Sequence, residues 1–499
     1  MQFVPPRAHA AAVAVLAAAI TLAVTGPAAA HEDPGAQHAA EDLAGTPMSL
    51  IERQAAATAD RIARSTGVRP GQRSPAQQRL AAQRAAVADP AGAGAWSAVY
   101  GTPVVPVFTA MLPNGKVLMW DSVGDGAAEG GDDHSFTRAA VWDPVTSTGR
   151  RVDVKGYNIF CAGFTQLADG TVLVAGGNRD KALHGLRTTH LFDWRTETWR
   201  RGPDMHAERW YPSVAALPSQ EALITGGGPA TPEVFQANQW IRLLTGVATT
   251  ASRLYPLLAV RPDGNVDIIG PWATMQTVRT DGAGAVAATA VRDTITRDYA
   301  SYAMFRPGRT LVSGGGILDE GGLTKVPTKT AVIIGSTTAG VAATSRNTRP
   351  MAFPRRQHNL TILADGNVLA TGGESSAAVN NGVDLNHAVF SAELFDTEAE
   401  TWRTLGAANR VREYHSTALL LPDGRVMTGG GGICAECQRV GYLERNVEYF
   451  EPPYLFRNDG SGAYATRPVI DSAPASTGYG TSYSVTSAQA ASIAKAGLV

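Results

Sequence analysis

From Trp96 onward the apolar and polar positions fall into one unit that recurs along the chain. An alternating apolar stretch is followed by a turn, a second apolar stretch and a run of glycines. The copies are VFTAMLPNGKVLMW, CAGFTQLADGTVLVAGG, YPSVAALPSQEALITGGG, YPLLAVRPDGNVDIIG, YASYAMFRPGRTLVSGGG, QHNLTILADGNVLATGG and HSTALLLPDGRVMTGGGG. Alternation on either side of Asn-Gly, Asp-Gly or a variant turn predicts a β-hairpin in each. Several copies lead into a further strand that ends in a turn and a tryptophan, as in HLFDWRTETW and AELFDTEAETW.

The turn residues are Gly115, Gly170, Gln220, Gly264, Gly308, Gly366 and Gly424. They recur about every 50 residues, the period of kelch-type propeller blades. The fold class expected is therefore all-β: a seven-bladed kelch-type β-propeller over residues 95–457, each blade a small antiparallel sheet around a channel. Two features flank it. Residues 31–94 form an Ala/Gln/Arg-rich segment whose capping signals predict a short helical hairpin and a linker. Residues 465–499 read as the start of a C-terminal Ig-like β-sandwich, too short to fold alone and so incomplete.

Counting nine positions back from each turn gives Cys161, Tyr211, Tyr255, Tyr299, Gln357 and His415, with Pro106 in the first unit. If the first strand of each hairpin is the innermost of its blade, these residues meet in one ring at the channel mouth. One position further back adds Trp210, Arg356 and Tyr414. Tyr255 and Tyr299 alone are ordinary strand residues or line the mouth for substrate, as do Arg356, Gln357 and Trp210. Cys161, Tyr211, Tyr414 and His415 together point to chemistry, because imidazole with phenolate oxygen suits an oxidised transition metal.

The 43 basic and 44 acidic residues leave a net charge of −1, which argues against a nucleic-acid partner. An apolar stretch over residues 8–24 behind Arg7, ending in GPAAA, reads as a secretory signal over residues 1–30. The protein is expected outside the cell, with the helices as a candidate tether to the envelope, and as a monomer. Of the three cysteines, Cys434 and Cys437 either pair or form half of a zinc site, and pairing leaves Cys161 over.

The stretches YNIFCAGF, RWYPSVAAL, REYHSTALLLPDGRVMTGGGGICAEC and VEYFEPPYLF resemble the copper-radical oxidases, the galactose oxidase and glyoxal oxidase family. The likeness runs through roughly residues 96–499 and is nearer the glyoxal oxidase branch. It implies a copper cofactor and a protein-derived radical on a thioether between Cys161 and Tyr211. It further implies Tyr211, Tyr414 and His415 as copper ligands, and Cys434–Cys437 as a short-loop disulfide. The implied reaction oxidises a small aldehyde or a primary alcohol, sugar ends included, with O2 and releases H2O2. A second equatorial histidine of the family has no counterpart before the chain ends at KAGLV, and His358 is the nearest in register among His134, His184, His190, His206, His358 and His387. The expectation is a piece of a complete oxidase; the alternative is a non-catalytic propeller that binds cell-surface glycan, or a pseudoenzyme. Trp210 and Trp272 are the candidates for the tryptophan that shields the radical.

Overall fold

The computed structural model describes residues 89–123, 133–236, 240–249, 254–318, 325–376, 383–474 and 481–493. The secretory signal and nearly all of the helical segment expected up to residue 94 lie outside the described residues; within them Pro90–Ala93 is a single helical turn capped by Asp89. Beyond it, the described residues form seven antiparallel sheets of four or five strands, one per expected blade, and two two-stranded ones, Phe136–Thr137 with Val154–Lys155 and Gly316–Leu318 with Lys325–Pro327. The predicted hairpins are the first two strands of each blade: Phe108–Met111 with Val117–Trp120, Gly163–Gln166 with Val172–Ala175, Pro212–Ala216 with Ala222–Gly226, Leu257–Val260 with Val266–Gly270, Ser301–Arg306 with Arg309–Ser313, Arg356–Ile362 with Val368–Glu374, and Ser416–Leu420 with Val426–Gly430. Blades 1 to 6, in that order, each add two further strands.

Blade 7 is completed differently. Its third strand, Asn446–Glu451, takes Ala95–Trp96 as an outer neighbour, with Ala95 opposite Glu451 and Trp96 opposite Phe450. Tyr100–Gly101 pairs with the same strand. The start of the described chain thus closes the ring on its end. On the inner side Thr109 Oγ1 and Thr417 Oγ1 lie 2.7 Å apart, joining blade 7 to blade 1. Asn359 Nδ2 donates to the Ser416 carbonyl at 3.3 Å, joining blades 6 and 7.

All seven turn residues have positive φ, from 66° at Gln220 to 86° at Gly264. That conformation strains residues with a Cβ, and it explains the periodic glycines. The glycines that end the second strands have another cause. A Cβ on Gly314 would lie 2.4 Å from the Arg355 carbonyl, and one on Gly372 would lie 2.3 Å from that of Arg412, so the neighbouring blade presses its backbone against them.

Apolar faces fill the spaces between blades: Leu223 and Val234 of blade 3 pack with Leu258, Val266, Ile268 and Val278 of blade 4. Buried arginines fasten blades 3, 5, 6 and 7 from within. Nη1 of Arg209, Arg297, Arg355 and Arg412 donates to the carbonyls of Gly226, Gly314, Gly372 and Gly430 at 2.7, 2.8, 2.6 and 3.1 Å. Arg209 and Arg355 also pair with Glu233 and Glu393 on the third strands of their blades.

After the propeller, Pro453–Leu455 makes one 3-10 turn, and the Tyr454 hydroxyl donates to the Gly424 carbonyl at 2.5 Å. The described residues from 465 onward hold one bridge, Ser472 to Thr486, and a 3-10 turn at Ala490–Ser492. Val469, Ile470, Tyr483 and Val485 are exposed there.

Candidate metal centre

The six ring positions share an unusual backbone. Cys161, Tyr211, Tyr255, Tyr299, Gln357 and His415 have φ of 62°, 62°, 42°, 57°, 58° and 63°. Bulky residues avoid this region, and such strain persists only where its surroundings over-determine it. Here the surroundings include neighbouring blades. The Tyr211 N–H donates to the Cys161 carbonyl at 2.8 Å, Tyr255 N–H to the Tyr211 carbonyl at 2.8 Å, and Gln357 N–H to the Tyr299 carbonyl at 3.0 Å. The left-handed turn at the head of each inner strand aims one blade's N–H at the previous blade's C=O. Residues separated by scores of positions thereby touch.

At the centre, Tyr211 Oη and Tyr414 Oη lie 3.3 Å apart, both buried. His415 stacks on Tyr414, with ring centroids 3.8 Å apart at 25°. A carbonyl can only accept, so the 2.7 Å contact between His415 Nδ1 and the Gly432 oxygen makes Nδ1 the donor and puts the lone pair on Nε2. Burial holds the imidazole down to about 4, against the hydrogen bonds to the Gly432 and Ile433 backbone, so it is neutral at pH 7. Cys161 is a fully buried thiol in the same apolar cluster as Tyr211 and Tyr414.

The other expected mouth residues surround this pair. Trp210 meets Tyr211 edge to face at 4.2 Å, and Tyr255 meets its ring at 4.5 Å and 86°. The Tyr255 hydroxyl donates to the Ala162 carbonyl at 3.2 Å, beside Cys161. Tyr299 abuts Tyr414 at 5.9 Å and 83°, and the Arg356 guanidinium lies 4.5 Å from the Tyr299 ring centre. Arg356 is 0% exposed and pairs with Asp298 at 3.1 Å and Glu374 at 3.2 Å. Both amide atoms of Gln357 are buried and make no hydrogen bond among the described residues.

Two contributors escaped the sequence reading. Phe160 stands edge-on to His415 at 5.2 Å. Glu413, visible only as the E of REYH, has both carboxyl oxygens buried without a hydrogen-bond partner among the described residues. Burial, then the charges of Glu374 and Asp384, push it well above the usual carboxylate range. Burial also raises Glu374, to about 7, against the pull of Arg356.

Among the described residues no three or more His, Cys, Asp or Glu side chains converge as a metal cluster. The donor set on offer is one imidazole with its lone pair on Nε2 and two phenol oxygens close enough to share one ion. Cys434 and Cys437 are disulfide-bonded, so neither serves as a zinc thiolate.

The other described histidines lie away from the Tyr211–Tyr414 pair. His184, His206 and His387 contact Asp180, Glu233 and Asp384, and His134 contacts Asn158 and Asn178. His358 Nε2 lies 3.0 Å from Ser313 Oγ, between blades 5 and 6. His190 packs on Tyr157 with neither ring nitrogen hydrogen-bonded among the described residues. Burial, helped by the Arg201 charge, lowers its pKa from 6.5 to about 4. Burial, then Arg355 and Arg297, lowers that of His358 to about 3. The unfolded chain therefore takes up these protons first as the pH falls below 6.5. Stability is intact above that pH and declines towards about pH 4. His190→Phe should leave the neutral-pH stability in place and recover part of the acid loss, read by urea denaturation at about pH 7 and pH 5.

A family model described as glyoxal oxidase N-terminus matches residues 127–454. Galactose oxidase of Gibberella zeae is 32% identical over 414 residues, covering 76% of this chain and 57% of that protein. Aldehyde oxidase GLOX of Vitis pseudoreticulata is 25% identical over 366 residues, covering 65% of each. The chain spans 44–65% of the length of the curated relatives it matches. A solved fungal alcohol oxidase of the AA5 family, in complex with copper, superposes with a TM-score of 0.67 at 24% identity, over 76% of this chain and 81% of that one, a likeness of fold.

Proposed function

The chain belongs to the copper-radical oxidases, the family of galactose oxidase and glyoxal oxidase, and from that premise we propose that it is a secreted oxidase of small aldehydes or primary alcohols, sugar ends included, that passes two electrons to O2 and releases H2O2. One observation carries the reading: the buried Tyr211–Tyr414 hydroxyl pair at 3.3 Å with His415 stacked beside it. A purely glycan-binding propeller has no use for two phenols and an imidazole shut away from solvent. Tyr211, Tyr414 and His415 Nε2 would hold the ion. Bound copper would supply Lewis acidity and accept one of the two electrons.

Removing two electrons from an alcohol or an aldehyde hydrate needs a second one-electron acceptor, and we assign that role to Tyr211. Joining Cys161 sulfur to the Tyr211 ring removes the thiol hydrogen and one ring hydrogen, and the two electrons pass to O2. The sulfur then donates into the ring and makes the phenol easier to oxidise. Tyr414, as phenolate, takes the substrate hydroxyl proton. Trp210 and Tyr255 cover the edges of Tyr211 and keep water from it. The Gln357 amide offers a donor and an acceptor to a substrate hydroxyl.

The test is direct. Protein loaded with copper in air and digested should yield the Cys161 and Tyr211 peptides joined, two hydrogens lighter than their sum. Separate peptides after full loading would overturn the radical reading. Peroxide release with methylglyoxal, glyoxal and galactose then assigns the substrate class.

A further inference from the structure

His415 and Tyr414 precede the inner strand of blade 7, and a single loop holds them from the other side. The Gly432 carbonyl accepts from His415 Nδ1 at 2.7 Å. The Gly432 N–H donates to the Tyr414 carbonyl at 3.1 Å. Further along, Tyr442 Oη accepts the Glu413 N–H at 2.6 Å. Three successive residues of the ligand segment are thus tied to one loop between residues 431 and 442.

The loop is short, carries the six-residue α-helix Ala435–Val440 capped by Cys434, and is internally closed. The Cys434–Cys437 disulfide spans its middle, the Cys437 N–H donates to Cys434 Sγ at 3.0 Å, and the Tyr442 N–H donates to the Cys437 carbonyl at 2.8 Å. Cys434, Cys437 and Tyr442 are buried in the cluster that contains Cys161, Tyr211 and Tyr414. The run of glycines before it becomes intelligible. A Cβ on Gly431 would sit 2.1 Å from Tyr442 Oη, and one on Gly432 would sit 2.5 Å from the Tyr442 carbonyl. Only bare backbone lets the loop fold onto the segment it holds.

We propose that this disulfide-closed loop is a positioning device for the metal ligands: the bond between Cys434 and Cys437 closes the loop, the Tyr442 hydroxyl anchors it to the Glu413 N–H beside the ligands, and the Gly432 carbonyl so held sets the tautomer and direction of His415. The metal is the one in the reading above, so the proposal rests on it. The chain of contacts is local: disulfide to loop, loop to carbonyl, carbonyl to Nδ1. Partners one step removed from a ligand typically alter metal affinity by about 10–100-fold when lost.

The test compares the full chain with Tyr442→Phe and with the double variant Cys434→Ala/Cys437→Ala; alanine avoids new thiols that would bind copper themselves. Two measurements are made on each. In copper-free protein, 15N-labelled histidine reports the His415 tautomer. In loaded protein, chelator competition gives Cu(II) affinity, and the EPR hyperfine splitting gives the ligand geometry. The expected result is a shift away from the Nδ1–H tautomer, at least about a 10-fold weaker affinity and an altered EPR spectrum, with the far-UV circular dichroism of the propeller retained. Should the double variant fail to fold, Tyr442→Phe decides alone. An unchanged tautomer and unchanged Cu(II) spectrum in a folded variant overturn the positioning role. A wild-type chain that binds no copper sinks the oxidase reading instead, while the tautomer measurement still decides the role of the loop.

Discussion

Tyr211→Phe is expected to abolish oxidation, by at least about 10³-fold in kcat, while leaving the propeller folded. The variant removes one oxygen atom. The ring keeps its edge contacts with Trp210 and Tyr255. The backbone keeps its φ of 62° and its hydrogen bonds to Cys161 and from Tyr255. What goes is the hydroxyl 3.3 Å from Tyr414, and with it the proposed metal donor and one-electron acceptor. The ring also loses the activation that allows a sulfur to join it, so no cross-linked peptide should form. The fair comparison is with wild type never exposed to copper, because both then lack the link. Near-equal thermal unfolding of these two, with activity lost only in the variant after loading, is the outcome sought. A variant that retained cross-link or turnover would remove Tyr211 from the chemistry.

Arg355→Ala should have the largest effect on stability, about 3–5 kcal/mol. The guanidinium is fully buried, and each of its nitrogens is used. Nε and Nη2 meet Glu393 at 3.0 and 2.8 Å, Nη1 meets the Gly372 carbonyl at 2.6 Å, and Nη2 also meets the Ser391 carbonyl at 2.6 Å. Alanine would strand a carboxylate and two carbonyls away from water. A loss of that size is a large part of the roughly 5–15 kcal/mol that holds an ordinary domain together. Urea denaturation should show a lower midpoint with little change in slope. The pair itself is not irreplaceable: Arg355→Met with Glu393→Leu should recover much of the loss, because neither charge is then left alone.

The fold was legible where geometry repeats. Each hairpin needs one left-handed residue at its turn, so Gly115 and its equivalents mark the blades, and a fixed offset carries that phase to Cys161, Tyr211 and His415. The outer strands were less legible, because TGRR and TWRR lie exposed and need no apolar pattern. The closing strand Ala95–Trp96 is two residues long and has no period at all. The arginine fasteners went unread since each is a single residue, and in blade 7 an extra residue shifts Arg412 one place further from His415. Proximity of Tyr211 to Tyr414 followed from the ring, but their pairing with copper came from family likeness.

The seam between Ala95–Trp96 and Asn446–Glu451 has a consequence for synthesis. A chain made from its N-terminus exposes its closing strand early, and the partner strand emerges some 350 residues later. Until then every intermediate is an open arc with two naked edges, a target for proteases and for pairing with other arcs. The wheel locks only when its last spoke is delivered, so the fate of the whole ring is decided once Asn446–Glu451 has been made.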